Sequence, residues 1–118
     1  EEQYLKPVIR AANEDGLSPL GQFVYYDALV VHGPGSDGDS FHGMRAAAKR
    51  KAKTPAQGGS EATYLKTFLK QRERVMLKEE AHSDLSRLRV QRQLIAAGNW
   101  KLARPLAWTM YGDRFTLQ

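Results

Sequence analysis

YLKTFLKQRERVMLKEEAHSDLSR, residues Tyr64–Arg87, decides the fold. Read at helical spacing, Leu65, Phe68, Leu69, Val75 and Met76 fall on one stripe about 100° wide, which predicts a long amphipathic helix. Arg72 lies seven residues after Leu65, and Glu79 seven after Arg72, so both share that apolar stripe. A charge turned into a core is costly unless it is paired and hydrogen-bonded. The spacing therefore predicts named partners for these two side chains, a wet cleft for them to face, or a helix rotated so that both reach water along their stems.

Upstream, Ser18-Pro19 is a cap followed by a first-turn proline, and it opens a second helix over Leu17–Val31. Its apolar members are Leu20, Phe23, Val24, Val30 and Val31. Asp27 follows Phe23 by four residues and Leu20 by seven, so it joins the buried face. Two helices thus carry inward charges of opposite sign. Before them, Tyr4–Asn13 reads as a short helix with Pro7 in its first turn, ended by Glu14, Asp15 and Gly16. His32-Gly33-Pro34-Gly35 is a corner, SDGDS a loop, and Ser40 a cap for a helix over Phe41–Lys53. Pro55 and two glycines make Thr54–Gly59 a loop, and Ser60 caps the central helix.

Downstream, the helical period restarts after His82 and Ser83, with Leu85, Leu88, Leu94 and Ile95 apolar. Arg87 shares a face with Gln91 and Leu94, a third candidate for inward charge. Pro105 breaks the helix, and LAWTMYGDRFTL alternates in part around a Tyr-Gly-Asp turn, which predicts extended chain or a short hairpin. Trp108, Tyr111 and Phe115 are expected to close the core. The fold class is mainly α with a short extended end.

The chain has 118 residues, enough for one domain with a single core. Hydrophobic content of 42% suits a globular chain rather than a disordered one. No apolar run approaches the roughly 18 residues of a membrane span, and the acidic start, EEQYLKPV, is no signal peptide. Cysteine is absent, which excludes disulfides and thiolate metal sites. The net charge of +5 is local: Arg45, Lys49, Arg50, Lys51 and Lys53 stand between Gly43 and Ser60 with no acid among them, while the other 13 cations match all 13 acids. Such a run is either a solvated helix face or a nucleic-acid patch; no aromatic residue interleaves with it, which favours the former.

Four segments in order, GQFVYYDALVVHGPG (Gly21–Gly35), KAKTPAQGG (Lys51–Gly59), EEAHSDLSR (Glu79–Arg87) and PLAWTMYGD (Pro105–Asp113), resemble the chitosanases of glycoside hydrolase family 46. The resemblance covers nearly the whole chain. It implies a two-lobed, lysozyme-like, mainly helical enzyme that cleaves β-1,4 links between glucosamine units by an inverting mechanism, needs no cofactor or metal, and is secreted. It also implies that residues 1–118 are the C-terminal half, since the family's general-acid Glu and water-activating Asp precede the region where these motifs begin. An inverting glycosidase needs both carboxylates, with space for water. The partners implied are chitosan or its oligosaccharides and the N-terminal half of the same enzyme, with no membrane and no nucleic acid.

By motif match, the resemblance implies that Asp27, Arg72 and Arg87 form an ion network behind the catalytic acid. It places Glu79, His82 and Ser83 against the sugar, with Tyr26 and His32 as weaker cleft-lining positions. Ser83 departs from the Asp that the family commonly carries there, which removes a charge-assisted bond to a glucosamine ammonium. A chain of net charge +5 should repel a polycation. The expected resolution is spatial, with Asp27, Glu79, Glu80 and Asp84 making the cleft locally acidic.

Three other readings stay open at this point. The same groove could hold amino sugars without cutting them. Arg45–Lys53 could serve a small nucleic-acid-binding helical domain. His32, His42 and His82 could hold a metal, but they lack a ligand spacing such as HxxxH.

Overall fold

The computed structural model describes residues 2–78 and 86–101, with side chains described from Lys6 onward and that of Arg87 outside the description. Every regular element among them is helical: α1 (Glu2–Asp15), α2 (Pro19–His32), α3 (Phe41–Lys51), a 3-10 turn (Pro55–Gln57), α4 (Glu61–Lys78) and α5 (Ser86–Ala96). The expectation of a mainly helical chain holds. The extended or hairpin segment expected after Leu102, with Trp108, Tyr111 and Phe115, lies outside the described residues.

Local chemistry sets the helix ends. The amide of Leu17 donates to the Ala12 carbonyl at 2.9 Å and that of Gly16 to Asn13 at 3.2 Å, which closes α1 in a Schellman turn. Gly16 holds the left-handed conformation such a turn requires, at φ +74°. The Ser18 hydroxyl caps α2 by accepting the Gly21 amide at 3.4 Å, and the Ser60 hydroxyl caps α4 by accepting the Thr63 amide at 3.3 Å. The expected N-cap of α3 differs: Ser40 has cap backbone angles but no capping hydrogen bond, because its hydroxyl turns to the Asp37 carboxylate. Helix α1 starts earlier than the spacing suggested, at Glu2, so Pro7 sits inside it and forgoes one backbone hydrogen bond.

Helix α2 is the middle of the packing and touches α1, α3, α4 and α5. It buries Leu20, Gly21, Phe23, Val24, Tyr25, Asp27, Ala28 and Leu29, leaving little polar face. Helix α4 buries Tyr64, Leu65, Phe68, Leu69, Arg72, Val75 and Met76, the apolar stripe together with its inward arginine. Tyr25 packs edge-on to Phe41 at a centroid distance of 5.0 Å and against Phe68 at 5.1 Å. Val30 departs from its expected place on the apolar face: it is 49% exposed, in the last turn of α2.

Side-chain and backbone ties fix the ends of the stack. The Glu61 carboxylate at the start of α4 accepts the Ser18 amide at 2.9 Å and its hydroxyl at 2.7 Å, so the first turns of α2 and α4 are joined. The Leu20 amide donates to the Trp100 carbonyl at 2.9 Å, tying the chain beyond α5 back to α2. No helix among the described residues is long and apolar enough to cross a membrane.

Candidate functional site

Asp27 and Arg72, turned inward by the spacing of two different helices, meet. Asp27 is 5% exposed and Arg72 fully buried. Arg72 Nη1 donates to Asp27 Oδ2 at 3.0 Å. Gln91 on α5 donates its amide to the same oxygen at 3.0 Å. Arg72 Nε donates to His32 Nε2 at 3.1 Å. An imidazole nitrogen that accepts is unprotonated, so neutral His32 carries its proton on Nδ1. Three helices thus converge on one guanidinium–carboxylate pair, and each partner restricts how that pair can turn.

Chemically, the arrangement is a positioning device. A planar guanidinium held at one edge by a carboxylate and at another by an imidazole has a fixed orientation, and its charge is largely offset on site. Removing one partner strands a buried charge, at a cost of about 3–5 kcal/mol. Asp27 therefore adds nothing to the acidity of a cleft, which corrects the expectation that it would help attract a polycation: its charge is spent on Arg72 inside the core.

His32 stands in the network rather than apart from it. Tyr26, the neighbour of Asp27, is half-buried and packs against the core. Glu79, Glu80, His82, Ser83 and Asp84 lie outside the described residues, as does the side chain of Arg87. Sequence reasoning placed Gln91 on the right face but gave it no task. Its signal is its register, three residues after Leu88 and three before Leu94, both buried.

A second buried cluster was missed. Asp15, 1% exposed, accepts Arg45 Nε at 2.8 Å, Arg45 Nη2 at 2.9 Å, Lys49 Nζ at 3.0 Å and the Tyr25 hydroxyl at 2.5 Å. The hydroxyls of Tyr25 and Tyr64 are 2.6 Å apart. Because Tyr25 spends its one proton on Asp15, Tyr64 is the donor between them. Burial alone would raise the Asp15 pKa, but hydrogen bonds from Arg45, Tyr25 and Lys49 outweigh it and hold the carboxyl below its ordinary value. Burial, with Tyr64 and Asp15 adding to it, pushes the Tyr25 phenol far above its usual range; burial likewise raises Tyr64. The register signal was present, since Asp15 continues the Val8, Ala11 and Ala12 stripe of α1.

The cluster also revises the basic run. Arg45 and Lys49 turn toward Asp15, and Arg45 reaches Glu14 at 3.1 Å as well, so two of the five cations expected on an outer face are committed to α1. That argues against a nucleic-acid surface built on the whole run. Among the described residues no group of three metal-ligating side chains assembles.

The model of glycosyl hydrolase family 46 matches residues 1–106. A chitosanase of Nocardioides sp. (strain N106) is 52% identical over 118 residues, covering 99% of this chain and 42% of its own length. A chitosanase of Streptomyces sp. (strain N174) is 52% identical over 115 residues, covering 97% of this chain and 41% of its own. Among solved structures, a chitosanase co-crystallised with substrate superimposes with a TM-score of 0.86 at 49% identity, over 98% of this chain and 49% of that one. The family 46 chitosanase of Gynuella sunshinyii in complex with chitotetraose gives 0.81 at 34% identity, over 98% and 51%. The chain spans about half or less of each of these relatives. With that family's model running through nearly all of its length, the chain belongs to glycosyl hydrolase family 46.

Proposed function

We propose that this chain is the C-terminal half of an endo-acting, secreted chitosanase that hydrolyses β-1,4 links between glucosamine units with inversion. The observation that carries the reading is the 52% identity to two chitosanases across nearly the whole chain. An inverting glycosidase places its acid and base about 6.5–9.5 Å apart, on opposite faces of the sugar. Under this reading both carboxylates stand outside residues 1–118, and the described residues support them. The Asp27–Arg72–His32–Gln91 network, with Arg87, fixes the backing of the general acid and presents it with an oriented positive charge. Glu79, His82 and Ser83 face the sugar, with Tyr26 at the edge of the cleft.

The test compares the complete protein with residues 1–118 for cleavage and binding of glucosamine oligomers, with helix content followed in the same samples. Cleavage by the complete protein, with binding but no cleavage by a helical 118-residue chain, is expected. Cleavage by the 118-residue chain would place acid and base within it and refute the division of roles. A complete protein that binds without cutting would make it an amino-sugar-binding module instead.

A further inference from the structure

The groove between the end of α3 and the outer face of α4 carries cations that neither the fold nor the proposed reaction uses. Lys51, Thr67, Lys70, Gln71 and Arg74 line a recess of about 210 Å³. Lys66 stands one turn before Lys70, which stands one turn before Arg74, and all three are exposed. Like charges four residues apart on a helix repel, and an isolated helix gains nothing from them. The basic end of α3 complements the negative end of its dipole. Lys66, Lys70 and Arg74 lie in the body of α4, where the dipole offers no such return.

Nor, among the described residues, does a neighbouring acid answer them. The described carboxylates are engaged elsewhere: Glu14 and Asp15 by Arg45, Asp27 by Arg72, Asp39 by Lys78, Glu61 by Ser18 and Glu73 by Arg92. Asp37 is held by the Ser40 hydroxyl and the Asp39 amide. The groove therefore presents a concave cluster of positive charge with amide and hydroxyl groups in its floor. No aromatic ring lines it, so it has nothing on which a base could stack. A polycation such as chitosan is repelled there.

We propose that the α3–α4 groove binds a polyanion of closely spaced tetrahedral oxyanions, gripping its backbone charge at Lys51, Lys70 and Arg74. The inference is independent of the proposed hydrolysis, because these side chains point to solvent from a face that the buried network does not use. Recognition by backbone charge alone is strongly salt-dependent.

Titration calorimetry of the full chain with inorganic polyphosphate, dextran sulfate and single-stranded DNA of matched charge tests this, at low and at physiological salt. A triple variant, Lys51→Gln, Lys70→Gln and Arg74→Gln, is compared with a charge-matched control on other exposed positions, Lys6→Gln, Arg10→Gln and Arg89→Gln. The groove variant should bind polyphosphate about tenfold more weakly, with the salt slope reduced by about one for each cation removed. The control should stay within about threefold of the parent, as expected where no phosphate contact is lost. Equal binding of polyphosphate and dextran sulfate supports oxyanion recognition in general, and preference for either identifies the source. Equal weakening in both variants would reduce the effect to net charge and overturn the site. Tighter binding of DNA than of polyphosphate, or binding of none of the three at low salt, would overturn it equally.

Discussion

One guanidinium joins α1 to α3: Arg45 approaches Asp15 through Nε at 2.8 Å and Nη2 at 2.9 Å, both oxygens of the carboxylate being used. Among the described residues only Asp15 offers that guanidinium a buried carboxylate. Asp15→Asn keeps the shape and loses the charge, so Arg45 and Lys49 are left against a neutral amide. The expected loss is about 3 kcal/mol, the size for breaking a buried pair. Lys49→Ala should cost less, about 1 kcal/mol or below, since its side chain is 34% exposed and screened. Urea unfolding of the two variants checks both values.

The same carboxylate gives the protein an acid-side pH dependence. Its folded pKa lies below its ordinary value, so its contribution is present above about pH 4, the unfolded value, and is lost as pH falls through the folded one. Thermal melting of the parent and of Asp15→Asn should differ most near neutrality and converge on acidification. A constant gap between them down to the most acid sample would show that Asp15 contributes no differential proton binding.

The alkaline side belongs to the tyrosines. Tyr25 and Tyr64 have folded pKa values raised by burial, so their contribution is present below the unfolded value of about 10 and is lost as pH rises above it. Of the five tyrosines in the chain, these two should fail to ionise until it unfolds. Tyrosinate absorbance followed alongside circular dichroism checks this: the signal of Tyr25 and Tyr64 should appear together with loss of helix, and ionisation of all five tyrosines before that loss would contradict it. Tyr25→Phe should also destabilise at neutral pH, by about 1–3 kcal/mol, as it leaves Tyr64 and Asp15 each short of a partner.

Arg72→Lys separates charge from geometry. Lysine keeps the positive charge but is a point donor on a flexible stem, and it cannot hold Asp27 and His32 in the fixed fork that arginine provides. Arg72→Ala should cost about 3 kcal/mol or more, and Arg72→Lys should recover only part of it. Under the proposed function, turnover of the complete protein should follow the same order. A loss within about 0.5 kcal/mol for the alanine variant, the size for a surface site, would contradict its burial.

Two glycines give a matched test of sterics against backbone conformation. A Cβ on Gly43, in the first turn of α3, would stand 1.7 Å from the Asp37 carbonyl oxygen, so the 36–40 loop must move. Gly33 ends α2 at φ +85°, with open space around the position a Cβ would take. Gly43→Ala should cost about 1–3 kcal/mol through overpacking; Gly33→Ala should cost about 1–3 kcal/mol through backbone strain alone, since φ +85° with ψ 166° is a region that essentially only glycine adopts. Differential scanning calorimetry measures both, and unchanged melting for Gly43→Ala would refute the close approach.

Helical periodicity alone located the α2 and α4 faces, because Leu20, Phe23, Leu65 and Phe68 recur at the spacing a buried stripe demands. It also turned Asp27 and Arg72 inward, since a charge in an apolar register has few other places to go. The same reasoning applied to α1 would have found Asp15. Its place beside Glu14 and Gly16 read instead as a helix end, and a Schellman glycine follows buried and exposed acids alike. His32 was legible as a corner residue but not as an acceptor, because the pairing spans 40 residues and depends on how α2 and α4 pack. Spacing within one helix carries no information about which side chain of another will face it. Val30 shows the same limit: its register is apolar, yet at the end of α2 it is 49% exposed.

Tyr25 and Asp27 sit two residues apart on α2, hence on nearly opposite sides of the helix, and each anchors a different buried cluster. Helix α2 therefore has almost no side on which sequence can wander. A saturation library scored for folded protein should find it the most intolerant of the described helices, even at Gly21, where a Cβ would meet the Glu61 carboxylate at 2.8 Å. The exposed faces of α3 and α4 should absorb most replacements. Divergence among descendants of this chain should then accumulate from the outside inward and reach α2 last.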